Sequence, residues 1–352
     1  MFGVEYTVIP GEVEGSRRAT GRLNSKETIS FHRALSTWFH KSKRHLPWRQ
    51  TCDPYAILVS EIMLQQTQVA TVVPYYNRWL RRFPTVRSLA SATESEVLHA
   101  WQGLGYYARA RNLYRCTKIM VKKFDGKLSR DPDELKSLPG IGRYTANAIG
   151  VFAFDQSLPI VEANTARVLA RLFNVRAPID STSGRQKLWE LSAKLVPPKG
   201  GRDFQNAMMD LGALICTAHR PRCEICPVKK FCCARDPVAL PRKRKRAAIV
   251  PITESHRLST KAGAVLLEQC RQRWRGMWIL PPLKLDGLKP SSLRRPAYVS
   301  AFPFTHHRVT LHVFRQATHE IDSRSQRWFL TNALDTIPIP SPHRRAINAL
   351  LA

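Results

Sequence analysis

Four cysteines within 17 residues constrain the fold of this 352-residue chain more than any other feature. They are Cys216, Cys223, Cys226 and Cys232, in a C-x6-C-x2-C-x5-C spacing that lets four thiolates converge on one centre. Zinc and a [4Fe–4S] cluster both accept four sulfur ligands. Structural zinc sites usually separate two C-x-x-C pairs by a longer loop, which is missing here. The spacing therefore favours the iron–sulfur cluster, with zinc as the alternative.

The charge balance points to a polyanionic partner. Lysine and arginine number 56 against 26 aspartate and glutamate residues, which gives a formal net charge of +30. Nucleic acid, the ribosome and an acidic membrane surface all fit this charge, and nucleic acid is favoured. Hydrophobic residues make up 43% of the chain, enough to build packed cores, so wholesale disorder is excluded.

The sequence carries no pattern of a membrane or secreted protein. No apolar run approaches the ~20 residues that a bilayer crossing needs. The N-terminus has Glu5 early and lacks the basic segment followed by an apolar one that marks a signal peptide. We therefore expect a soluble protein in a reducing compartment, where cysteines stay free or bind metal.

The chain divides into four stretches by composition and hydrophobic periodicity. Residues 1–28 lack periodicity and are expected to form a mobile tail. Residues 29–235 show the apolar spacings of three and four that are typical of helices, and residues 236–248 form a basic linker around PRKRKR. In residues 249–352 short apolar runs alternate at period two, which predicts an α/β domain with strands. The net charge is +21 up to residue 246 and +9 after it, so both parts can face one polyanion.

A short segment with the properties of a phosphate-binding turn lies at SLPGIGRYTANAIG, Ser137–Gly150. Gly140 and Gly142 permit unusual backbone angles and a close approach of the backbone to a ligand. Arg143 begins a helix whose first N–H groups can hold a phosphate. The segment resembles the helix–hairpin–helix motif, which contacts DNA without reading bases, and a plain turn between helices is the alternative.

Several long motifs carry a family resemblance. SEIMLQQTQVATVVPYY at Ser60–Tyr76, together with the hairpin and the cysteine loop, resembles the endonuclease III superfamily of DNA glycosylases. LPWR at Leu46–Arg49, GLGYYARARNL at Gly103–Leu113 and AMMDLGALICT at Ala207–Thr217 resemble the MutY-type adenine DNA glycosylases in particular. The resemblance implies a mainly α-helical helix–hairpin–helix glycosylase fold with a [4Fe–4S] loop.

The resemblance also implies a reaction and a partner. Adenine paired with 8-oxoguanine or G in double-stranded DNA would be flipped out, because a base inside the stack cannot be reached. Its N-glycosidic bond would then be hydrolysed as a step of base excision repair. Adenine is a poor leaving anion and needs an acid, and the oxocarbenium-like sugar needs a second carboxylate to stabilise its charge. A monomer without membrane association is expected.

The candidate catalytic residues follow from the same motifs. Glu61 in SEIMLQQTQ matches the family's general acid, and burial would raise its pKa as an acid near neutral pH requires. The second carboxylate departs from the family's Asp-Gly-Asn, since this chain has Glu162, Ala163 and Asn164. We expect Glu162 to work through a shifted backbone, with reduced activity or a different target base as alternatives. Tyr144 stands where bifunctional members carry a Schiff-base lysine, which implies a monofunctional enzyme with Tyr144 lining the adenine pocket.

A set of DNA contacts is implied as well. Gln65, Gln66 and Thr67 are expected to enter the base stack and contact the orphan base. Leu104 and Tyr106 look like insertion residues beside 8-oxoguanine, and the neighbouring Tyr107 is interpreted as packing. The remaining members of the expected DNA-binding set are Arg49, Gly140, Gly142 and Arg143.

Residues 249–352 resemble, more thinly, the C-terminal domain of this family, which is related to Nudix hydrolases. FTHHRVTLHVF at Phe304–Phe314 resembles the Phe-Ser-His segment that recognises 8-oxoguanine, with Thr305 keeping a hydroxyl and His306 matching the histidine. Packing in the core is the alternative for His306. An active Nudix enzyme needs a glutamate-rich box for its divalent metal, and the glutamates of this domain are widely spaced. The domain is therefore expected to read the lesion without pyrophosphatase activity.

Two other functions stay open at the level of sequence. One is a glycosylase for another mispaired base, such as thymine or uracil opposite G, which the Glu162 substitution would permit. The other is a lesion-binding protein with impaired catalysis, against which the retained Glu61 argues. We expect the protein to lie in the cytoplasm of a bacterium, in association with DNA. An organelle or the nucleus stays open as the alternative location.

Overall fold

The first helix begins earlier than the sequence predicts. The structure, a computed structural model, describes residues 23–245, 248–283, 295–317, 321 and 323–352, so most of the predicted tail lies outside the described residues. Helix α1 spans Ser25–Ser42 and thus starts before residue 29. Asn24 explains this start, because its side chain accepts the Glu27 N–H and the Glu27 carboxylate accepts the Asn24 N–H, both at 2.9 Å. Such a reciprocal capping box satisfies two N–H groups that a helix end otherwise leaves free.

Helices dominate the chain between residues 25 and 210, in agreement with the predicted periodicity. Prolines and glycines separate several of these helices, and polar side chains cap the N-termini of others. After α1 they are α2 Pro54–Leu64, α3 Val69–Arg82, α4 Val86–Ser91, α5 Glu94–Ala100, α6 Ala108–Phe124, α7 Pro132–Lys136, α8 Arg143–Phe154, α9 Ala163–Leu172, α10 Thr182–Leu195 and α11 Gly201–Asp210. Among the described helices, none has the length and hydropathy that a membrane crossing requires.

The predicted hairpin joins α7 to α8. Gly140 has a φ of +79°, a left-handed conformation that favours glycine. Gly142 has a φ of −94° and extended backbone, and a Cβ built on it meets nothing within 4 Å. Of the two glycines that permit unusual backbone angles, Gly140 adopts one and Gly142 does not. Its position as the N-cap of α8 leaves the first N–H groups of that helix without a side-chain cap.

Contacts divide the chain into two compact units. One unit contains the residues up to Glu61 and 128–245, and the other contains 62–127 and 246–352. The predicted boundary at the basic linker is thus a division point, whereas the grouping of 62–127 with the C-terminal segment was not predicted. In the first unit, Phe31, Leu35 and Phe39 recur every four residues on α1 and are 0–3% exposed. They form one core with apolar residues of α9, α10 and α11.

The C-terminal segment contains the predicted strands and a final helix. The strands are β1 Val250–Leu258, β2 Thr260–Lys261, β3 Ala264–Gln269, β4 Trp278–Ile279, β5 Tyr298–Phe304, β6 His307–Arg315 and β7 Gln326–Leu330, and α12 spans Ser341–Leu351. Strand β6 pairs with β1 in parallel and with β5 in antiparallel orientation, while β3 pairs with β2, β4 and β7. Val309, Leu311 and Val313 of β6 are fully buried at every second position, as the period-two pattern predicts.

Candidate active site

Glu61 and Tyr144 form the hydrogen-bonded centre of the candidate site. Glu61 lies in the apolar helix α2 and is 4% exposed. The hydroxyl of Tyr144, in the first turn of α8, donates a hydrogen bond to Glu61 Oε2 at 2.7 Å. Burial raises the pKa of Glu61 to about 7 against the lowering effect of that hydrogen bond, and the charge of Glu162 raises it further. The carboxyl can therefore hold a proton near neutral pH.

Glu162 is the N-cap of helix α9. Its two carboxylate oxygens accept the backbone N–H groups of Asn164 and Thr165, each at 2.8 Å. The Glu162 N–H in turn donates to Thr165 Oγ1 at 2.8 Å. Aspartate is a common N-cap residue and glutamate is not. The longer side chain of Glu162 nevertheless reaches the N–H groups of Asn164 and Thr165. The result is a carboxylate with both oxygens held in place.

Glu162 and Ala163 stand where the family usually has Asp and Gly, and the structure shows the backbone at Ala163 and the charges around Glu162. Ala163 is the first residue of α9, a helical conformation that alanine adopts readily. Burial raises the pKa of Glu162, while the N–H groups of Asn164 and Thr165 and the charges of Arg167 and Arg44 act in the opposite direction. The charge of Glu162 also raises the pKa values of Glu61 and Tyr144. The two carboxyl groups are therefore electrostatically coupled.

Asn164, predicted as catalytic, is held by an arginine. Arg167 Nη2 donates to Asn164 Oδ1 at 2.8 Å and to the Gly212 carbonyl at 2.6 Å, and Arg167 Nε donates to the Cys216 carbonyl at 2.7 Å. A Cβ built on Gly212 would lie 2.7 Å from Asn164 Cβ, so only glycine fits there. The start of α9 and the first cysteine of the cluster are thus joined by one side chain.

A buried ion triad lies in the same unit and was missed by the sequence analysis. Asp210 is fully buried, and its oxygens accept bonds from Arg49 Nη1 at 2.8 Å, Arg49 Nη2 at 2.9 Å and Arg44 Nε at 2.6 Å. Burial alone would raise the pKa of Asp210, but the hydrogen bonds and charges of Arg49 and Arg44 hold it below its usual range. Arg49, which the sequence predicts to contact DNA, pairs with Asp210 in this structure. An aspartate in the otherwise apolar AMMDLGALI was the available signal.

The four cysteines lie in a loop that Arg171 holds. Arg171 Nη1 donates to Cys216 Sγ at 3.2 Å and to the Thr217 carbonyl at 2.7 Å, and Cys232 Sγ lies 3.5 Å from the Arg171 carbonyl. Burial, together with nearby thiols that include Cys216, raises the pKa of Cys232 to about 11. Burial raises the pKa values of Cys223 and Cys226 as well. Within the described part of the chain, no three His, Cys, Asp or Glu side chains already form a metal-binding group.

At the hairpin, Arg143 is exposed and its guanidinium lies 3.9 Å from the ring centroid of Trp189. The arginine thus stands at the first position of α8, beside the uncapped N–H groups. Such an arrangement of N–H groups and a cation suits an anionic ligand. The prediction that Arg143, Gly140 and Gly142 contact DNA is compatible with this geometry.

Two loops of the second unit contain the predicted insertion residues. We name them the QQT loop, Gln65–Thr67, and the GLGYY loop, Gly103–Tyr107. Gln66 is exposed, and Tyr106 is 47% exposed. Leu104 is only 6% exposed, so of the two predicted insertion residues in the GLGYY loop only Tyr106 is presented to the surface. Tyr107 is 6% exposed, which confirms its interpretation as packing.

The predicted lesion-reading residues lie at the turn between β5 and β6. Thr305 has a φ of +53°, and its hydroxyl donates to the Phe304 carbonyl at 2.7 Å. His306 is exposed, and its ring centroid lies 3.8 Å from that of His307. The alternative that His306 packs in the core is therefore wrong. Both Thr305 and His306 are accessible to a ligand.

Comparisons with known proteins agree with this arrangement. Residues 59–194 match the HhH-GPD superfamily of base excision DNA repair proteins. The chain is 44% identical over 221 residues to the adenine DNA glycosylase of Homo sapiens, a match that covers 60% of this chain but only 40% of the human protein. It is 36% identical over 248 residues to the adenine DNA glycosylase of Buchnera aphidicola subsp. Schizaphis graminum, which covers 69% of each chain.

A solved structure supports the same fold. The structure of a thermostable thymine-DNA glycosylase is 30% identical to this chain and superposes with a TM-score of 0.54, covering 59% of this chain and 95% of that one. That structure thus has the same fold over the part of this chain that it covers. The chain belongs to the HhH-GPD superfamily, as a MutY-type helix–hairpin–helix glycosylase.

Proposed function

We propose that this protein is a monofunctional adenine DNA glycosylase, which hydrolyses the N-glycosidic bond of adenine paired with 8-oxoguanine or G in duplex DNA. The observation that carries the proposal is the coupled group of Glu61, Tyr144 and Glu162. One carboxyl in this group holds a proton near neutral pH, and the other is fixed by two backbone N–H groups. Removal of a purine needs both functions.

In this mechanism the two carboxyl groups have different tasks. Glu61, with a pKa raised to about 7, donates its proton to the departing adenine. Burial raises the pKa of Glu162, while the N–H groups of Asn164 and Thr165 and the charges of Arg167 and Arg44 favour its anion. Its negative charge stabilises the oxocarbenium-like sugar. Tyr144 orients Glu61 through its hydrogen bond, and with tyrosine in place of lysine the chain has no Schiff-base nucleophile there.

We propose that Cys216, Cys223, Cys226 and Cys232 hold a [4Fe–4S] cluster. Their spacing within 17 residues supports this proposal, as do the contacts of Arg171, which donates to Cys216 Sγ at 3.2 Å and whose carbonyl lies 3.5 Å from Cys232 Sγ. When bound, such a cluster fixes the loop through four Fe–S bonds and can carry an electron. The chain's own contribution is to position the loop through Arg171 and Arg167.

The C-terminal segment is proposed to be a Nudix-like domain that reads 8-oxoguanine through Thr305 and His306. Both side chains are exposed at one turn and offer hydrogen-bonding groups. Glu254 is paired with Arg273 at 2.7 Å and Glu268 accepts a bond from Gln326 at 2.9 Å, so neither is a free metal ligand. Lesion reading without pyrophosphatase activity is the role that this arrangement supports.

The test is single-turnover release of adenine from an 8-oxoguanine·A duplex, followed by alkali to cut the abasic site. Glu61→Gln should lose activity by about 10²-fold or more, because no acid remains to protonate adenine. Glu190→Gln, a change of an exposed glutamate on α10, is the matched control and should keep full activity. Equal activity of the Glu61→Gln variant and the wild type would contradict the proposal, as would efficient borohydride trapping of the enzyme on DNA.

A second candidate is a glycosylase for thymine or uracil opposite G. The similarity to a thermostable thymine-DNA glycosylase, at 30% identity, favours keeping it in the experiment. A panel of 8-oxoguanine·A, G·A, G·T and G·U duplexes separates the two functions. Release of thymine or uracil faster than adenine would establish the second.

A further inference from the structure

A buried arginine joins the two loops that carry the predicted insertion residues. Arg109 lies in the first turn of α6 and is 9% exposed. One terminal nitrogen of its guanidinium donates to the Gln65 carbonyl in the QQT loop, and the other donates to the Leu104 carbonyl in the GLGYY loop. The sequence analysis did not single it out, because it is one of two arginines in GLGYYARARNL.

The first set of contacts is to the end of α2 and the QQT loop. Arg109 Nη1 donates to the carbonyls of Ile62 at 2.9 Å, Met63 at 2.8 Å and Gln65 at 2.5 Å. The last carbonyls of a helix have no partner within the helix and carry a partial negative charge. Arg109 supplies both the donors and the positive charge at this helix end.

The second set of contacts is to the GLGYY loop. Arg109 Nη2 donates to the carbonyls of Leu104 at 3.1 Å and Gly105 at 3.3 Å. The same nitrogen donates to Thr67 Oγ1 at 3.1 Å, so it bridges the two loops directly. The guanidinium also lies 5.6 Å from the ring centroid of Tyr106, the exposed residue of this loop.

Both loops have strained backbone at the residue that they present. Gln66 has a φ of +56° and Tyr106 a φ of +47°, left-handed conformations that are unfavourable for residues other than glycine. Strained conformations persist only where surrounding contacts fix them. Arg109 contacts Gln65, Thr67 and Gly105 next to these residues, in addition to the bonds from the Thr67 N–H to the Leu64 carbonyl and from Trp101 Nε1 to the Gly105 carbonyl.

The surroundings of Arg109 are unusual for a buried cation. Within the described part of the chain, no carboxylate pairs with it, and its hydrogen bonds go to neutral oxygens. Burial lowers the pKa of Arg109 to about 10, which reflects the unfavourable transfer of its charge from water. Apolar packing of this position would avoid that transfer, so the geometry of the guanidinium is what this position needs.

We propose that Arg109 is a positioning residue that holds the QQT and GLGYY loops in one fixed arrangement, so that Gln66 and Tyr106 enter the DNA together. The inference rests on the proposed function in one respect, namely that these loops face DNA. Arg109 itself touches no DNA in this role. It acts through the backbone of the two loops.

The test compares Arg109→Lys with Arg115→Gln. Lysine keeps the positive charge but cannot direct two nitrogens at two loops, whereas Arg115 is an exposed arginine two turns further along α6. The first measurement is binding to a duplex with a tetrahydrofuran abasic analogue opposite 8-oxoguanine, at several salt concentrations. The second is amide hydrogen exchange of the free protein at residues 65–68 and 103–107. Neither needs glycosylase activity, so failure of the proposed function leaves both readable.

Arg109→Lys should weaken binding by about tenfold or more, since several hydrogen bonds of a charged donor are lost or misplaced. The slope of log K against log salt should stay that of the wild type, because no phosphate contact is removed. Exchange should accelerate in both loops. Arg115→Gln should change neither loop.

Two results would overturn the inference. One is a salt slope that falls by about 0.9 in Arg109→Lys without faster exchange in the loops, which would make Arg109 a phosphate contact. The other is equal binding and equal exchange in Arg109→Lys and Arg115→Gln. If Arg109→Lys does not fold, Thr67→Val is the substitute, because it removes one acceptor that bridges the two loops. It should weaken binding and accelerate exchange in both loops, each by less than Arg109→Lys. Unchanged binding and exchange in Thr67→Val would also overturn the inference. If the wild type binds no DNA, exchange in the two loops decides alone.

Discussion

Two buried carboxyl groups in the unit formed by the residues up to 61 and 128–245 have opposite acid–base character. Burial raises the pKa of Glu61 to about 7, and the hydrogen bond from the neutral hydroxyl of Tyr144 offsets only part of this rise. Burial alone would raise the pKa of Asp210 as well, but Arg49 and Arg44 hold it below its usual range. The two groups are 4% and 0% exposed. Burial is therefore common to both, and the presence of a cation decides which carboxyl keeps its proton.

The two carboxyl groups therefore suit different roles, Glu61 a catalytic one and Asp210 a structural one. A carboxyl that holds a proton near pH 7 can donate it, whereas one that is permanently ionised between two arginines can only fix their positions. Burial raises the pKa of Glu162 as well, although two N–H groups and the charges of Arg167 and Arg44 favour its anion. The predictions below test how far this difference extends.

The largest effect is expected at Asp210. Asp210→Asn leaves Arg49 and Arg44, whose side chains are 12% and 27% exposed, without their counter-charge and should lower the free energy of unfolding by about 3–5 kcal/mol at pH 7. Because the pKa of Asp210 is lowered, its stabilising contribution should disappear as the pH falls through that value. Asp203→Asn on the same helix is the control, as its side chain is 61% exposed. Chemical denaturation that finds both variants equally stable would contradict the assignment.

The opposite dependence of stability on pH is expected for Glu61. Its pKa is about 7 in the folded protein against an ordinary value of 4.5, so stability is lost as the pH rises from 4.5 through 7. Glu61→Gln cannot ionise and should be more stable than the wild type at pH 8 by about 3 kcal/mol, and the difference should shrink towards pH 5. Thermal unfolding at the two pH values measures this change. A stability difference that does not vary with pH would show that Glu61 titrates normally.

Glu162 should affect both rate and pH dependence. Glu162→Gln removes the charge that stabilises the sugar cation and should lower the single-turnover rate by about 10²-fold. The alkaline limb of the pH–rate profile should move to lower pH, because the charge of Glu162 no longer raises the pKa of Glu61. Glu162→Asp, which keeps the charge and is the family's usual residue, is the control and should stay within about tenfold of the wild type. An unchanged rate in the Gln variant would remove Glu162 from the mechanism.

The smallest effect is expected at Tyr144. Its hydrogen bond lowers the pKa of Glu61, so Tyr144→Phe should move the alkaline limb of the profile to higher pH. The rate at its optimum should change by less than about tenfold, in line with the loss of one neutral hydrogen bond. Tyr114→Phe, which removes a hydroxyl bonded to the Ala92 carbonyl, is the control. A shift of the limb in the other direction would contradict the role assigned to Tyr144.

The residues of the candidate site could be predicted from sequence, but their partners could not. Glu61, Tyr144 and Glu162 were identified one by one, and Glu61 and Tyr144 are 83 positions apart in the chain. Asp210 was overlooked because its importance comes from two arginines that lie more than 160 positions away. Arg49 and Leu104 were predicted as DNA contacts, and the structure engages the first with Asp210 and buries the second.

The sequence by itself determined the helical organisation, the strands after the basic linker and the set of residues able to do the chemistry, because periodicity and residue type are local properties. Only the tertiary structure decided which carboxyl keeps a proton, how Glu162 serves as a helix cap and which arginine holds the two loops. These depend on burial and on partners brought together from distant parts of the chain. A pKa or a hydrogen bond is set by those surroundings and not by the residue alone.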